Sequence, residues 1–508
     1  NKTARSPILQ FCAGVQDRST GHLVLEELSM QKRTISKPYK STWESVTQHP
    51  NPNWFQDAKF GIYFHWGPYS VPAFQNEWYS HWMYQPGHPI NKHHVDTYGP
   101  LDQFGYKDFI PMFTAEKFDP DAWVSLFKKA GARFVGPVTE HADGFAMWDS
   151  ALTEWNAAKM GPKRDIVGEM EKAVRQEGLK FITTLHHQWL YAWYPTLDAN
   201  TDASLPAYRD LYGPPLPRSA FEMAEDKPSV LADAAFNQRW LSRATEVVDK
   251  YEPDLVYFDN KLNILADRTL TDFLSHYYNR AQAWGRDVVT TYKFEEFQVG
   301  AGMLDLERSR MRDSQPFPWL TDDSIDWESW CHVQDPNYKS THRLITFLID
   351  VVSKNGCVLL NVTPTAEGEI PEPVQQRLLD MGKWLALNGE AIYDTRPWKI
   401  YGEGNQEIVE GHLSERQNRD ATSEEIRFTQ RDNLLYAVIL DWPEDHRVRI
   451  KSLPAGSVFV DAIESIHLLG HDLPLSWSRD SNGLHAQLPV QRPCDYAYVL
   501  KIKLDMNQ

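Results

Sequence analysis

Tyr251-Glu-Pro-Asp-Leu-Val-Tyr-Phe-Asp259-Asn260 is a short apolar run that follows a proline and stops at a carboxylate. Its β-branched and aromatic members, closed by polar residues, fit a strand buried on both faces, as in a parallel sheet. In a β/α barrel the C-terminal ends of the strands face the active site, so an acid delivered there is a candidate for catalysis. Asp259 can equally be read as the cap of a following helix.

Working outward, Phe236 to Lys250 reads as the helix that feeds this strand, and Asp287-Val-Val-Thr-Thr-Tyr-Lys293 as the next strand. Upstream the unit recurs. Phe60 to Phe64 is an apolar run ending in His65, and the loop Glu77-Trp78-Tyr79-Ser80-His81-Trp82 then packs a carboxylate among rings. A helix started by Asp119 and Pro120 and stopped by Gly131 leads to the strand Ala132 to Thr139, whose end carries Glu140-His141-Ala142-Asp143-Gly144. The helix from Asp165 to Gly178 precedes the strand Leu179 to Leu185, which ends in His186-His187-Gln188-Trp189. Gly300 to Arg308 reads as an acid-rich connection and Pro318 to Trp327 as the stretch beyond it. A helix over Leu344 to Ser353 and the strand Cys357 to Val362 then close the series. Strand, polar loop and helix in repetition predict a parallel sheet wound by helices, and counting by pattern yields seven strands against the eight of a closed barrel. From about residue 395 the texture changes to short alternating segments such as Leu434 to Leu440 and Tyr496 to Lys503, separated by turn residues. The expected α/β architecture is an arm over 1–50, a (β/α)8-like, TIM-type barrel over 51–392 and an all-β sandwich over 393–508.

Composition narrows the function. With 508 residues, the chain has room for one large barrel and a smaller domain. Lys+Arg of 52 against Asp+Glu of 69 leaves a net charge of -17, the wrong sign for wrapping a phosphate backbone, so nucleic acid is not an expected partner. No apolar run reaches membrane-spanning length and the start lacks the apolar segment of a secretory signal, so we expect a chain that is soluble or already processed. The expected setting is secreted or extracytoplasmic. Cys12, Cys331, Cys357 and Cys494 are scattered without a C-x-x-C pair, which argues against a zinc ribbon or redox site and leaves room for one long-range disulfide. The 19 tryptophans serve either a large aromatic core or stacking on sugar faces. Asn1 and Asn361 head glycosylation sequons, but Asn361 falls in a predicted strand and is expected to be bare.

The strand ends therefore collect His65, His141, His186 and Asp259, with Glu77, Glu295, Glu296, Asp305 and Glu307 in connecting loops. Two carboxylates flanking a glycosidic bond, one attacking and one protonating, would use this set. So would a metal held by histidines and an aspartate. There is no H-x-H or H-E-x-x-H motif, and the adjacent pairs His93-His94 and His186-His187 point apart, so the glycosidase reading ranks ahead of a metallohydrolase. A non-catalytic sugar-binding barrel is the third reading.

The ordered segments Phe60-Gly-Ile-Tyr-Phe-His-Trp-Gly-Pro-Tyr-Ser, Glu77-Trp-Tyr-Ser, Ala130-Gly-Ala-Arg-Phe-Val, Glu140-His-Ala-Asp-Gly-Phe, Gly161-Pro-Lys-Arg-Asp and Val352-Ser-Lys-Asn-Gly-Cys-Val-Leu-Leu-Asn resemble the α-L-fucosidases of glycoside hydrolase family 29. The resemblance implies a (β/α)8-like barrel with a C-terminal β-sandwich, and hydrolysis of terminal α-L-fucosyl groups on oligosaccharides or glycans with retention and without metal or cofactor. By the same resemblance Asp259 is the nucleophile, and Glu307, in Asp305-Leu-Glu-Arg308, is the acid/base, with Glu295 and Glu296 as competitors. The implied sugar-binding set is His65, Glu77, Trp78, His141, His186, Lys293 and Trp319. The family's usual pair of histidines is here His141-Ala142. The lost ring could widen the pocket or favour a related sugar such as an L-galactoside, and it lends the non-catalytic reading its weight.

Overall fold

The computed structural model describes residues 37–222, 230–457 and 462–505. The chain divides into Asn1–Pro38, almost all of it outside the described residues, and Tyr39–Gln508. The expected arm over 1–50 thus lies mostly outside the described residues, as do Asn1 and Cys12. The end of that arm belongs to the larger unit: the Tyr39 N–H donates to Asn279 Oδ1 (2.7 Å), and the His49 ring stacks on Tyr278 at 3.7 Å.

Eight parallel strands close a barrel: β1 (Phe60–Phe64), β2 (Phe134–Glu140), β3 (Lys180–Leu185), β4 (Leu255–Phe258), β5 (Val289–Lys293), β6 (Met303–Asp305), β7 (Trp319–Ser324) and β8 (Gly356–Val362). Eight is one more than the pattern count of seven, and only six of those strands have a range in the sequence reading: β6 and β7 fall in the acid-rich connection and the stretch beyond it. Neither has an apolar signature. β6 is three residues long, and β7, Trp-Leu-Thr-Asp-Asp-Ser, is mostly polar. The anticipated helices form and are capped as their first residues dictate. Asp119 accepts from the Ala122 N–H (3.0 Å), Asp165 from Gly168 (3.0 Å) and Ser340 from Arg343 (3.1 Å).

The two-residue period of a strand decides which strand-end groups reach the barrel interior. Leu255 and Tyr257 of β4 join the interior core, which also holds Tyr63, Val138, Ile182, Val289, Met303, Leu320 and Leu359. Their intervening neighbour Phe258 packs outward on Trp240 (5.2 Å) and Phe273 (5.0 Å). Asp259 continues the inward phase of Leu255 and Tyr257. His65 follows Tyr63 in the same way, Lys293 follows Val289, Asp305 and Glu307 follow Met303, Asp322 follows Leu320, and Asn361 follows Leu359. β2 is the exception. A register shift between Val138 and Glu140 turns Glu140 outward, where its carboxylate pairs with Arg243 and His187, so that His141 takes the inward place. Burial opposes ionisation of Glu140, but Arg243 and His187 outweigh it and hold the carboxyl down at about 2. Gly136 on β2 cannot be replaced: a Cβ there would stand 1.7 Å from the Ile182 carbonyl oxygen.

The C-terminal strands are β9 (Arg396–Glu403), β10 (Ile426–Arg431), β11 (Leu434–Ile439), β12 (Arg447–Ile450), β13 (Ile463–Leu468), β14 (Trp477–Asp480), β15 (Gly483–Gln487) and β16 (Tyr498–Leu504). They form a five-stranded sheet, β13-β16-β11-β10-β9, and a three-stranded sheet, β12-β15-β14. Phe428, Leu435 and Leu500 of the first and Ile450 and Leu484 of the second share one apolar core, so the sheets pack as a sandwich. A buried ionic seam ties this domain to the barrel: Asp350 pairs with Arg427 (2.5 Å), Lys354 (2.8 Å) and Arg310 (3.3 Å), and Glu415 with Arg343 (2.5 Å) and Arg310. Cys331, Cys357 and Cys494 are free thiols, and no described helix is long and apolar enough to cross a membrane.

Candidate active site

Asp259 directly follows β4, and the Gln188 side chain holds the backbone there by donating to the Asp259 (2.8 Å) and Asn260 (2.9 Å) carbonyls. One carboxylate oxygen accepts from Trp189 Nε1 at 2.8 Å and lies 3.5 Å from His186 Nδ1. The other stands 3.0 Å from the Lys293 ammonium. Lys293 Nζ is also 2.7 Å from Glu307 Oε2, 3.6 Å from Asp305 Oδ2 and 3.7 Å from Asp322 Oδ1. One buried cation therefore faces four carboxyl groups.

Four carboxylates cannot all stay ionised around one ammonium in a buried site. Burial, reinforced by the neighbouring Asp322, pushes Asp305 well above the usual carboxylate range. Tyr257 donates to Asp305 (3.1 Å) and Tyr63 to Asp322 (2.9 Å), fixing that pair at the foot of the site. Glu307 is raised, chiefly by burial and then by Asp322 and Asp259 against the pull of Lys293. Asp259 goes the other way: burial would raise it, but Lys293 and the hydrogen bond from His186 hold it well below the usual range. One cavity thus holds two carboxyl groups whose proton affinities are pushed in opposite directions.

His65, His141 and His186 come from three different strand ends and meet as a buried cluster, with ring centres 4.8 to 5.4 Å apart. One ring nitrogen of each lies within 4.8 Å of the others, a set able to hold a divalent cation. Pairwise sequence spacing could not show this, because each ligand arrives from its own strand. Ala142 is 2% exposed, and the ring that lies beside His141 is His186, at 4.8 Å. Asn361, buried at 0%, cannot carry a glycan. It works inside: its Oδ1 accepts from His65 Nδ1 (2.8 Å), and its Nδ2 donates to the Trp330 carbonyl (2.6 Å). The Trp330 N–H in turn donates to Glu77 Oε2 (3.0 Å), and burial raises the Glu77 carboxyl.

Glu77, Trp78, Asp259 and Glu307 line a cavity of about 670 Å³ together with Trp189, Trp330 and His412. Of the expected sugar-binding residues, Trp319 is misplaced. It opens β7, pairs with Gly356 at the start of β8, is 0% exposed and donates its Nε1–H to the Lys354 carbonyl (2.9 Å). It sits one step out of phase with Leu320 and at the wrong end of the strand, so it is a core residue. The two competitors for Glu307 also point elsewhere: Glu295 is exposed, and Glu296 accepts from the Lys261 N–H. Sequence reasoning missed Trp330 and His412. His412 comes from the connection between β9 and β10, reaches to 3.8 Å from Glu307 Oε2, and carries no local signal of that position.

Known proteins match most of this chain. A sequence model described as alpha-L-fucosidase matches residues 27–390, and one described as alpha-L-fucosidase C-terminal domain matches residues 417–503. The tissue alpha-L-fucosidase of Rattus norvegicus is 30% identical over 477 residues, covering 91% of this chain and 92% of that protein. The plasma alpha-L-fucosidase of the same organism is 31% identical over 487 residues, covering 91% and 94%. The crystal structure of Thermotoga maritima alpha-fucosidase in complex with fucose superposes with a TM-score of 0.72 at 29% identity, covering 91% of this chain and 99% of that one. With the barrel, the strand-end carboxylates and these relatives in agreement, the chain belongs to the α-L-fucosidase family, glycoside hydrolase family 29.

Proposed function

We propose that the protein is a retaining exo-α-L-fucosidase acting on fucosylated oligosaccharides or glycans, with Asp259 as nucleophile and Glu307 as acid/base. The observation that carries this is the pair of carboxyl groups with opposite proton affinities on one ammonium. Both reach Lys293 Nζ, at 3.0 and 2.7 Å, so their nearest oxygens are no farther apart than those two contacts laid end to end. That proximity favours the about 5–5.5 Å carboxyl separation of a retaining pair over the about 6.5–9.5 Å of an inverting one. Asp259 attacks the anomeric carbon as the bond to the leaving oxygen breaks, and Glu307 gives that oxygen its proton. Glu307 then takes a proton from water, which displaces Asp259 and frees fucose. His65, His141, His186 and Glu77 are suited to the sugar hydroxyls and Trp78 to its apolar face. The plasma relative supports a secreted or extracytoplasmic setting.

Glu307→Gln tests the assignment. It should slow a substrate with a poor leaving group by about 10²-fold or more, and one with an acidic phenol far less, because only the former needs the proton. Equal losses on both would remove Glu307 from the role.

The pH profile follows from the same shifts. kcat/KM should fall at the alkaline side as pH rises through the raised Glu307 value, and at the acid side only as pH drops through the lowered Asp259 value. The alkaline limb should vanish in Glu307→Gln. A profile whose alkaline limb survives that substitution belongs to another group.

A further inference from the structure

The wall of the catalytic cavity farthest along the chain is not part of the barrel. His412, Leu413, Glu415 and Arg416, between β9 and β10, line it together with Asp259 and Glu307. This loop is fastened to the strand-end segment that carries Glu307: the Leu413 N–H donates to the Glu307 carbonyl (3.0 Å), the Glu415 N–H to the Arg308 carbonyl (2.8 Å), and the Ser309 and Ser414 hydroxyls meet at 3.1 Å. Its geometry is set before any substrate arrives, which lowers the ordering cost of binding there.

Beyond the loop lies a second hollow of about 350 Å³ that shares Trp327, Glu328 and Arg416 with the catalytic cavity and adds Asn337 and Asp420. Trp327 is half-buried, its carbonyl accepts from Arg416 (3.0 Å), and the Arg343 and Arg416 guanidinium groups lie 5.3 and 5.8 Å from its ring centre. Arg416 of the C-terminal domain pairs with Glu328 of the barrel (2.5 Å), and Arg343 with Asp420 (3.0 Å). An indole beside charged and amide groups offers what a sugar ring needs, an apolar face and paired donors and acceptors for hydroxyls. Each cation here has its own carboxylate, so the hollow favours a neutral sugar over a sulfated or acidic one.

The acid in a glycosidase must stand next to the leaving oxygen, so the departing sugar lies on the side of Glu307 that this loop encloses. We propose that Trp327 and the C-terminal-domain segment from His412 to Asp420 form the subsite for the neutral hexose or N-acetylhexosamine unit that carries the fucose. The C-terminal domain is then a specificity element as well as a structural one. This rests on the fucosidase reading.

The test compares wild type, Trp327→Ala and Arg416→Ala on α-L-fucosyl fluoride, which has no sugar beyond fucose, and on the fucosyl disaccharide that wild type cuts best from a panel of linkages. The ratio of kcat/KM for disaccharide to fluoride should fall about 10-fold or more in each variant. Arg416 is largely exposed, so its variant bears on the question even where Trp327→Ala folds poorly. An unchanged ratio in Arg416→Ala and in folded Trp327→Ala, whether both substrates suffer equally or neither does, overturns the subsite alone. A wild type that releases no fucose from the fluoride overturns the fucosidase reading itself, and the subsite with it.

Discussion

Asp259→Ala is expected to cut turnover of an aryl α-L-fucoside by about 10⁴-fold or more, and added azide to restore it with β-fucosyl azide as the product. The alanine leaves an anion-sized space next to Lys293 Nζ and Trp189 Nε1, the two groups that contact the carboxylate at 3.0 and 2.8 Å. Azide entering there attacks from the face the carboxylate used, which inverts the anomeric centre once. Glu307 is untouched, so loss without azide reports the missing nucleophile and not a missing proton. An Asp259→Ala enzyme that turns over without azide, or that yields the α-azide, would remove Asp259 from the role.

Lys293→Met should have the second largest effect, and on two quantities at once. The ammonium is buried against Asp259, Asp305, Glu307 and Asp322, and those neighbours, Asp259 foremost, hold its proton well above the usual lysine range against the opposing effect of burial. Removing one member of a buried ionic group typically costs about 3–5 kcal/mol, because the remaining charge is left uncompensated. Here the carboxylates can take up protons instead, which moderates the loss and gives it a sign in pH. A carboxyl raised above its unfolded value stabilises the fold below the unfolded value and loses that stabilisation as pH rises through the folded one. The variant should therefore lose less stability at pH 5 than at pH 7.5 in urea unfolding. Its acid limb of kcat/KM should move upward as Asp259 loses its cation, with turnover down about 10²-fold or more at neutral pH. Equal destabilisation at both pH values with an unmoved acid limb would show that Lys293 serves packing alone.

Legibility in the sequence tracked local signal. β4 could be read because a short run of β-branched and aromatic residues between polar ones fits a buried strand, and the helix starts because Asp119 and Asp165 stand where orphan N–H groups need acceptors. β6 and β7 could not. Their inward residues are the site's own carboxylates, Asp305 and Asp322, so function erased the apolar pattern that marks a strand. Trp319, expected among the sugar-binding residues, is put in the core by one step of strand phase.

The sequence by itself determined the repeated strand, loop and helix units, the alternating C-terminal segments, and the polar group waiting at each strand end, since these depend on the periods of local backbone structure. Which of those groups meet was decided by the tertiary structure. Closure of the barrel brought Asp259, Lys293 and Glu307 within hydrogen-bonding reach. The register shift in β2 chose His141 over Glu140, and docking of the sandwich carried His412 to Glu307 across more than a hundred residues of chain. Contacts of that span are set by packing and by the buried charges of Asp350 and Glu415, which no local pattern encodes.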